Sequence, residues 1–233
     1  MNIPDLEPLK TISSQFSIDE TLQYLVNNYQ NSVCFSTSFG QEDQVITNII
    51  ARNKLALNIF TIDTGRMFQE TYDVYQNTIE KYGINIVTYF PEATNLEKLV
   101  SEKGPNSFYN SVENRKECCL IRKVLPLTKA LQGMSIWITG LRAAQSESRN
   151  DLQLFEYDFK YKVIKYNPLL QWTLEEVETY LQKNNVPQSS LHKRGFVSIG
   201  CAPCTRAIEK GEDIRAGRWW WETSHKECGL HQK

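Results

Sequence analysis

The chain carries six cysteines, and their spacing is uneven. Cys118 and Cys119 are adjacent, Cys201-Ala202-Pro203-Cys204 is a Cys-x-x-Cys, and Cys228 stands near the C-terminus beside His225, Lys226 and His231. The two pairs supply four thiolates, the number that an iron–sulfur cluster or a structural zinc ion needs. Taken alone, the Cys-x-x-Cys could also be a thioredoxin-like redox pair. That motif opens a helix early in its domain, and this one comes late. Adjacent residues on a helix diverge by about 100°. Cys118 and Cys119 can therefore reach one centre only if that centre has several corners or the helix is distorted, which favours a cluster over a single zinc ion. Cys228 has polar, basic surroundings of the kind that lower a thiol pKa and make a nucleophile. Cys34, inside an apolar run, reads as a small buried hydrophobe.

Groups suited to anions lie around these cysteines. Residues 114–149 hold seven Lys/Arg against two Glu. Lys123 follows Cys119 by four residues, one helical turn along the same face. Thr139-Gly140-Leu141-Arg142 ends a predicted strand, with Gln145, Ser146, Ser148 and Arg149 beyond it. An arginine fork matches phosphate and sulfate oxygens. Arg215 and Arg218, three residues apart, can share one face of a turn, with Trp219, Trp220 and Trp221 as apolar cover. Ser36-Thr37-Ser38-Phe39-Gly40 runs from a strand into a helix carrying Asp43, an arrangement that aims backbone N–H groups and a helix dipole at a phosphate.

The elements that must position these groups follow from periodicity. Ser17-Ile18-Asp19-Glu20 is a capping box opening a helix through Leu22, Leu25, Val26 and Tyr29. Strands are predicted over residues 32–37, 57–62, 84–89 and 134–139, with helices after the first two. The second strand ends in Asp63-Thr64-Gly65-Arg66, the end at which open α/β sheets hold ligands. Successive strand–helix units imply a parallel sheet with right-handed crossovers. Residues 101–116 read as a loop leading to Cys118, and the helix after Cys119 is expected to stop at Pro126. Residues 152–155 and 162–166 read as a hairpin, and 173–182 as a helix, with Trp172 and Tyr180 in the core. The expected organisation is an N-terminal helical segment (1–30), a nucleotide-binding α/β domain (31–195), and a C-terminal segment (196–233) rich in cysteine and arginine.

With 41% hydrophobic and 23% charged residues and a formal net charge of −1, the chain is ordinary for a globular protein and unsuited to general nucleic-acid or membrane-surface binding. Residues 1–10 lack an apolar signal core, and no stretch reaches the ~20 apolar residues of a membrane span. The cysteine pattern is a poor disulfide framework. These features predict a cytoplasmic protein.

Cys118-Cys119 paired with Cys201-x-x-Cys204, then Arg215-Ala216-Gly217-Arg218-Trp219-Trp220-Trp221-Glu222 and Glu227-Cys228-Gly229-Leu230-His231, resembles the assimilatory adenylylsulfate reductases, the cluster-bearing branch of the phosphoadenylylsulfate reductase family. The resemblance runs over residues 36–231. It implies an adenine-nucleotide α-hydrolase-like fold, a parallel sheet flanked by helices. It implies one 4Fe–4S cluster on Cys118, Cys119, Cys201 and Cys204, and Cys228 as the nucleophile that takes the sulfonyl group from adenylylsulfate. A thioredoxin or glutaredoxin-like thiol would then release sulfite. The residues it implies for substrate are Ser36, Ser38, Phe39, Gly40, Asp43, Thr61, Ile62, Asp63, Lys123, Gly140, Arg142, Arg149, Arg215, Arg218 and His231. Lys123 would link cluster and substrate. With the chain ending just after His231, the reductant is expected to be a separate protein, and a homo-oligomer fits the resemblance.

Three other readings compete. One is a reductase of the 3′-phosphorylated nucleotide, or of both nucleotides. Another is an ATP pyrophosphatase or sulfurtransferase of the same fold, although the Ser-Gly-Gly-x-Asp-Ser loop of those enzymes is replaced here by Phe39 and lacks the Ser after Asp43. The third is a zinc-stabilised nucleotide-binding module without catalysis.

Overall fold

The computed structural model describes residues 4–145 and 151–222. Helix α1 (Glu7–Gln15) and helix α2 (Ile18–Asn28) open the chain. The capping box forms as expected: Glu20 N donates to Ser17 Oγ at 3.3 Å and Ser17 N donates to Glu20 Oε2 at 2.8 Å. Then come β1 (Val33–Ser36), α3 (Gln41–Arg52), β2 (Asn58–Ile62), α4 (Gln69–Tyr82), β3 (Val87–Tyr89) and α5 (Ala93–Lys103). They are followed by α6 (Val112–Cys119), a π-helical turn (Leu120–Val124), α7 (Leu125–Ala130), β4 (Ile136–Ile138), β5 (Phe155–Asp158), β6 (Val163–Tyr166) and α8 (Leu174–Lys183).

The strands form one sheet in the order β3-β2-β1-β4-β6-β5. β1 runs parallel to β2 and β4, β4 runs parallel to β6, and β5 is antiparallel to β6 as its hairpin partner. Phe35 aligns with Ile59 on one side and Ile138 on the other. This is the mostly parallel α/β sheet that the succession of strands and helices predicts. The apolar runs of β1 and β4 are buried throughout or nearly so, as central parallel strands must be.

Several boundaries differ from expectation. The hairpin's first strand begins at Phe155, not residue 152, with Leu154 O accepting from Asn167 N at 2.9 Å and Gln153 O from Asn167 Nδ2 at 2.8 Å just beyond the last paired residues. Residues 101–116 are not one loop. They contain the end of α5, a 3-10 turn at Ser107–Tyr109 and the start of α6, capped by Ser111 Oγ accepting from Asn114 N at 3.2 Å. Pro126 does not stop the helix. It is the second residue of α7, where a missing N–H costs little.

By contact density the chain divides into two units. The first comprises Met1–Phe60, Asp73–Val87 and Leu131–Ser189; the second Thr61–Tyr72, Thr88–Ala130 and Ser190–Lys233. The first unit's core gathers Val33, Phe35, Ile46, Ile49, Ile136 and Ile138, with Phe155 stacked on Tyr166 at 4.5 Å. A smaller cluster in the second unit is built on Phe108, Cys201, Cys204 and Trp219. Among the described residues no helix is long and apolar enough to cross a membrane.

Candidate active site

In the first unit, the turn between β1 and α3 is set by Phe39. Its φ of 61° is left-handed, unusual for a bulky residue, and its buried ring stacks on Tyr75 at 4.7 Å. Asp43 Oδ2 accepts from both Ser38 N (2.6 Å) and Ser38 Oγ (2.7 Å). Gly40 begins α3 without a side-chain cap, so its first-turn amides are not claimed by a capping side chain. Gly140, after β4, lies so close that a Cβ there would collide with the Asp43 carboxylate. Arg142 is buried and paired: Nε donates to Glu42 Oε1 at 2.8 Å and Nη1 to Trp172 O at 3.2 Å. Ser36 Oγ accepts from Trp137 Nε1 at 2.8 Å. The turn's polar side chains thus brace one another, and the helix start is what it presents to an anion.

In the second unit, all four paired cysteines line one cavity, together with Arg66, Arg115, Arg122, Lys123, Arg218 and Trp219. Helix distortion makes this possible for Cys118 and Cys119. The π turn starts right after Cys119, with Leu125 N bonded to Leu120 O five residues back. Cys201 and Cys204 open and close a 3-10 turn in which Cys204 N donates to Cys201 O at 2.9 Å. Two glycines permit the close packing here. A Cβ at Gly200 would strike the Arg218 guanidinium, and one at Gly217 would strike Arg206 O. The segments pair through Thr205 and Arg218, and Arg206 N donates to Gly217 O at 3.0 Å.

The cavity is electropositive. Five cationic side chains line it and no carboxylate does, among the described residues. Burial pushes the Cys204 thiol up to about 12, reinforced by Cys201 and opposed by Lys123 and Arg218. Burial likewise raises Cys118, with Arg122 opposing. No disulfide joins the described cysteines. As they stand, the described side chains form no ready-made group of three or more metal ligands. Three buried donors lining the cavity nevertheless lack an acceptor: Arg122 Nε, Arg218 Nε and Trp219 Nε1. Such orphans are rare in native interiors. Unpaired donors, cations and four thiols around one space suit an acceptor-rich, negatively charged centre, which is what four thiolates on a metal make.

Several contacts at the site have no local signal in the sequence. Arg115 makes a buried two-pronged pair with Glu222, Nε to Oε1 at 3.0 Å and Nη2 to Oε2 at 2.8 Å. The guanidiniums of Arg115 and Arg218 each lie 4.7 Å from the Trp219 ring. Thr64 Oγ1 is 3.2 Å from Cys201 Sγ. Only Arg122 had a legible signal, four residues after Cys118 on the same helical face. Of the tryptophans, Trp219 is core and Trp220 is exposed. Arg215 is half-buried, and its carbonyl accepts from Arg218 N at 2.9 Å. Thr61 is buried and Ile62 half-buried, while the Asp63 carboxylate is engaged by Gly65 N and Tyr72 Oη. Arg149, Cys228 and His231, with His225, Ser146 and Ser148, lie outside the described residues.

Comparison with known proteins bears on this arrangement. The phosphoadenosine phosphosulfate reductase domain matches residues 32–207. A protein of Agrobacterium fabrum named adenosine 5′-phosphosulfate reductase is 43% identical, aligning 99% of this chain with 94% of its own. One of the same name from Allochromatium vinosum is 48% identical over 87% of this chain and 80% of its own. Among solved structures, the phosphate complex of phosphoadenylyl-sulfate reductase from Candida auris has a TM-score of 0.75 at 25% identity, covering 87% of this chain and 98% of that one. Yeast FAD synthetase, with a TM-score of 0.55 and 14% identity, shares the fold alone. The matched region runs from the first strand past the Cys-x-x-Cys and so takes in both cysteine pairs, and on this ground the chain belongs to the phosphoadenosine phosphosulfate reductase domain family.

Proposed function

We propose that this protein reduces adenylylsulfate to sulfite and AMP in assimilatory sulfate reduction, supplying sulfite for cysteine biosynthesis. The observation that carries the reading is the electropositive cavity in which Cys118, Cys119, Cys201 and Cys204 meet. It is the feature the resemblance ties to the adenylylsulfate branch. The relatives that match over nearly the whole chain bear that enzyme's name.

The four cysteines would hold a 4Fe–4S cluster, and Arg122 Nε, Arg218 Nε and Trp219 Nε1 are donors available to its sulfurs. When bound, that group supplies local charge near the substrate rather than the electrons of the reduction. Lys123, close enough to Cys204 to oppose the rise of its pKa, is the chain's link from cluster to phosphosulfate. The residues implied for substrate by resemblance are carried into this proposal except for the Asp63 carboxylate, whose oxygens are engaged by Gly65 N and Tyr72 Oη, with Asp43 and Arg142 acting through the bonds described above.

The Cys228 thiolate attacks the sulfur of the sulfonyl–phosphate anhydride. The S–O bond breaks, AMP leaves with that electron pair, and a cysteine S-sulfonate remains. A carrier thiolate, from thioredoxin or a glutaredoxin-like protein, attacks the Cys228 sulfur and expels sulfite. The carrier's second thiol resolves the mixed disulfide. Two thiols are oxidised, and sulfur falls from the sulfate to the sulfite level. AMP is a good leaving group, so the protein's main work is charge neutralisation and alignment for in-line attack. His231 belongs to the same terminal motif and accompanies Cys228 in this proposal. The enzyme acts in the cytoplasm, where thiol carriers are reduced.

The test is sulfite release by anaerobically purified protein. Adenylylsulfate plus reduced thioredoxin should yield sulfite in step with AMP, and the 3′-phosphorylated nucleotide much less. Equal or better turnover of the 3′-phosphorylated form would reassign the substrate, and AMP formation without sulfite would point to a hydrolase.

A further inference from the structure

We propose that loop 63–66, held in shape by Tyr72, is the positioning element that sets the two cysteine pairs relative to each other, and that the Asp63 carboxylate serves this loop rather than the nucleotide. The proposal rests on the reading that the four cysteines hold a cluster.

The loop carries no cysteine, yet it bonds to both cysteine segments. Toward the Cys-x-x-Cys, Thr64 Oγ1 meets Cys201 Sγ at 3.2 Å and Arg66 O accepts from Ala202 N at 2.8 Å. Toward the π turn, Thr64 O accepts from the buried Arg122 Nη1 at 2.6 Å. Arg122 stands three and four residues after the adjacent cysteines, so this bond fixes the face they present. Arg66 also lies over the Phe108 ring at 5.1 Å, beneath the same cavity wall.

The loop's own shape depends on one buried carboxylate. Asp63 is 7% exposed. Its Oδ1 accepts from Gly65 N at 2.7 Å, closing the turn, and Tyr72 Oη donates toward both oxygens at 3.1 and 2.9 Å. Gly65 takes the φ of +69° that this turn requires. Asp63 N donates to Tyr89 O at 2.9 Å, anchoring the loop's root. A carboxylate with both oxygens engaged inside the protein is poorly placed to read a nucleoside. Tyr72, from α4, completes the brace through the Asp63 carboxylate.

The test uses the full chain, purified anaerobically, as wild type, Tyr72→Phe and Asp63→Asn. Tyr72→Phe should release iron to ferrozine about tenfold faster, the factor expected from one lost hydrogen bond to a charged group. AMP affinity should stay as in wild type, and the urea midpoint of the metal-free protein should fall by no more than the loss of that one hydrogen bond accounts for. In metal-free protein, Cys201 of the Tyr72→Phe variant should be alkylated by iodoacetamide severalfold faster. Iron release and Cys201 alkylation both at wild-type rates in Tyr72→Phe would overturn the proposal. So would an Asp63→Asn variant that loses AMP binding while holding iron as wild type does. Wild-type protein without iron would sink the cluster reading instead, and the alkylation rates would then decide the loop's role alone.

Discussion

Arg115 and Glu222 show how much of the site rests on single side chains. Both are nearly fully buried, at 3% and 4% side-chain exposure. Removing one partner of such a pair leaves the other charged and buried, which costs about 3–5 kcal/mol, whereas replacing both with packed apolar groups costs far less. Arg115→Met and Glu222→Gln should each lower the urea midpoint strongly, and Arg115→Met with Glu222→Leu should recover much of the loss. Strictly additive losses would show that the pair does not act as a unit. Thiol protonation gives a second prediction. Burial raises both Cys34 and Cys204 from 9.0 to about 12 in the folded chain. A raised thiol pKa contributes stability below the unfolded value and loses it as pH climbs through the folded one. Metal-free protein should therefore lose stability between about pH 9 and 12, and Cys34→Ala should flatten that slope in thermal melts. These residues differ in legibility. The cysteine pairs were readable because their meaning lies in local spacing. Arg115 was not, because its partner lies 107 positions away.

At the scale of elements, the turns matter more than the helices they join. The strand-to-helix turn after β1 and the segment around Gly200 each need a glycine at a contact rather than at a bend. Gly140→Ala would press a methyl into the Asp43 carboxylate, and Gly200→Ala into the Arg218 guanidinium. Overpacking of this kind costs roughly 1–3 kcal/mol. Gly200→Ala should also lower iron content per chain, while Gly140→Ala should leave iron content unchanged and weaken AMP binding. Iron lost equally in both variants would show general destabilisation. Sequence alone found the strands and the capped helices, whose signals are periodic. It missed α5, although Leu96, Leu99 and Val100 have helical spacing, because no strong cap or glycine marks its start. It also stopped the helix at Pro126, since a π turn, which resets the hydrogen-bond ladder just before that proline, leaves no mark in the composition.

On the scale of the molecule, the fold class was legible because buried parallel strands are continuous apolar runs that few other elements imitate. The two contact units were not, because several of the crossings between them fall inside elements, in β2, α4 and β3, where composition marks no boundary. In the proposed mechanism Cys228 takes a sulfonate from adenylylsulfate before any carrier arrives. Intact mass after anaerobic incubation with adenylylsulfate, with no thiol carrier present, tests it most directly. One added sulfonate is expected on wild-type protein and none on Cys228→Ser. An iron-replete wild type that stays at its original mass, or a Cys228→Ser variant that gains the same sulfonate, would contradict it.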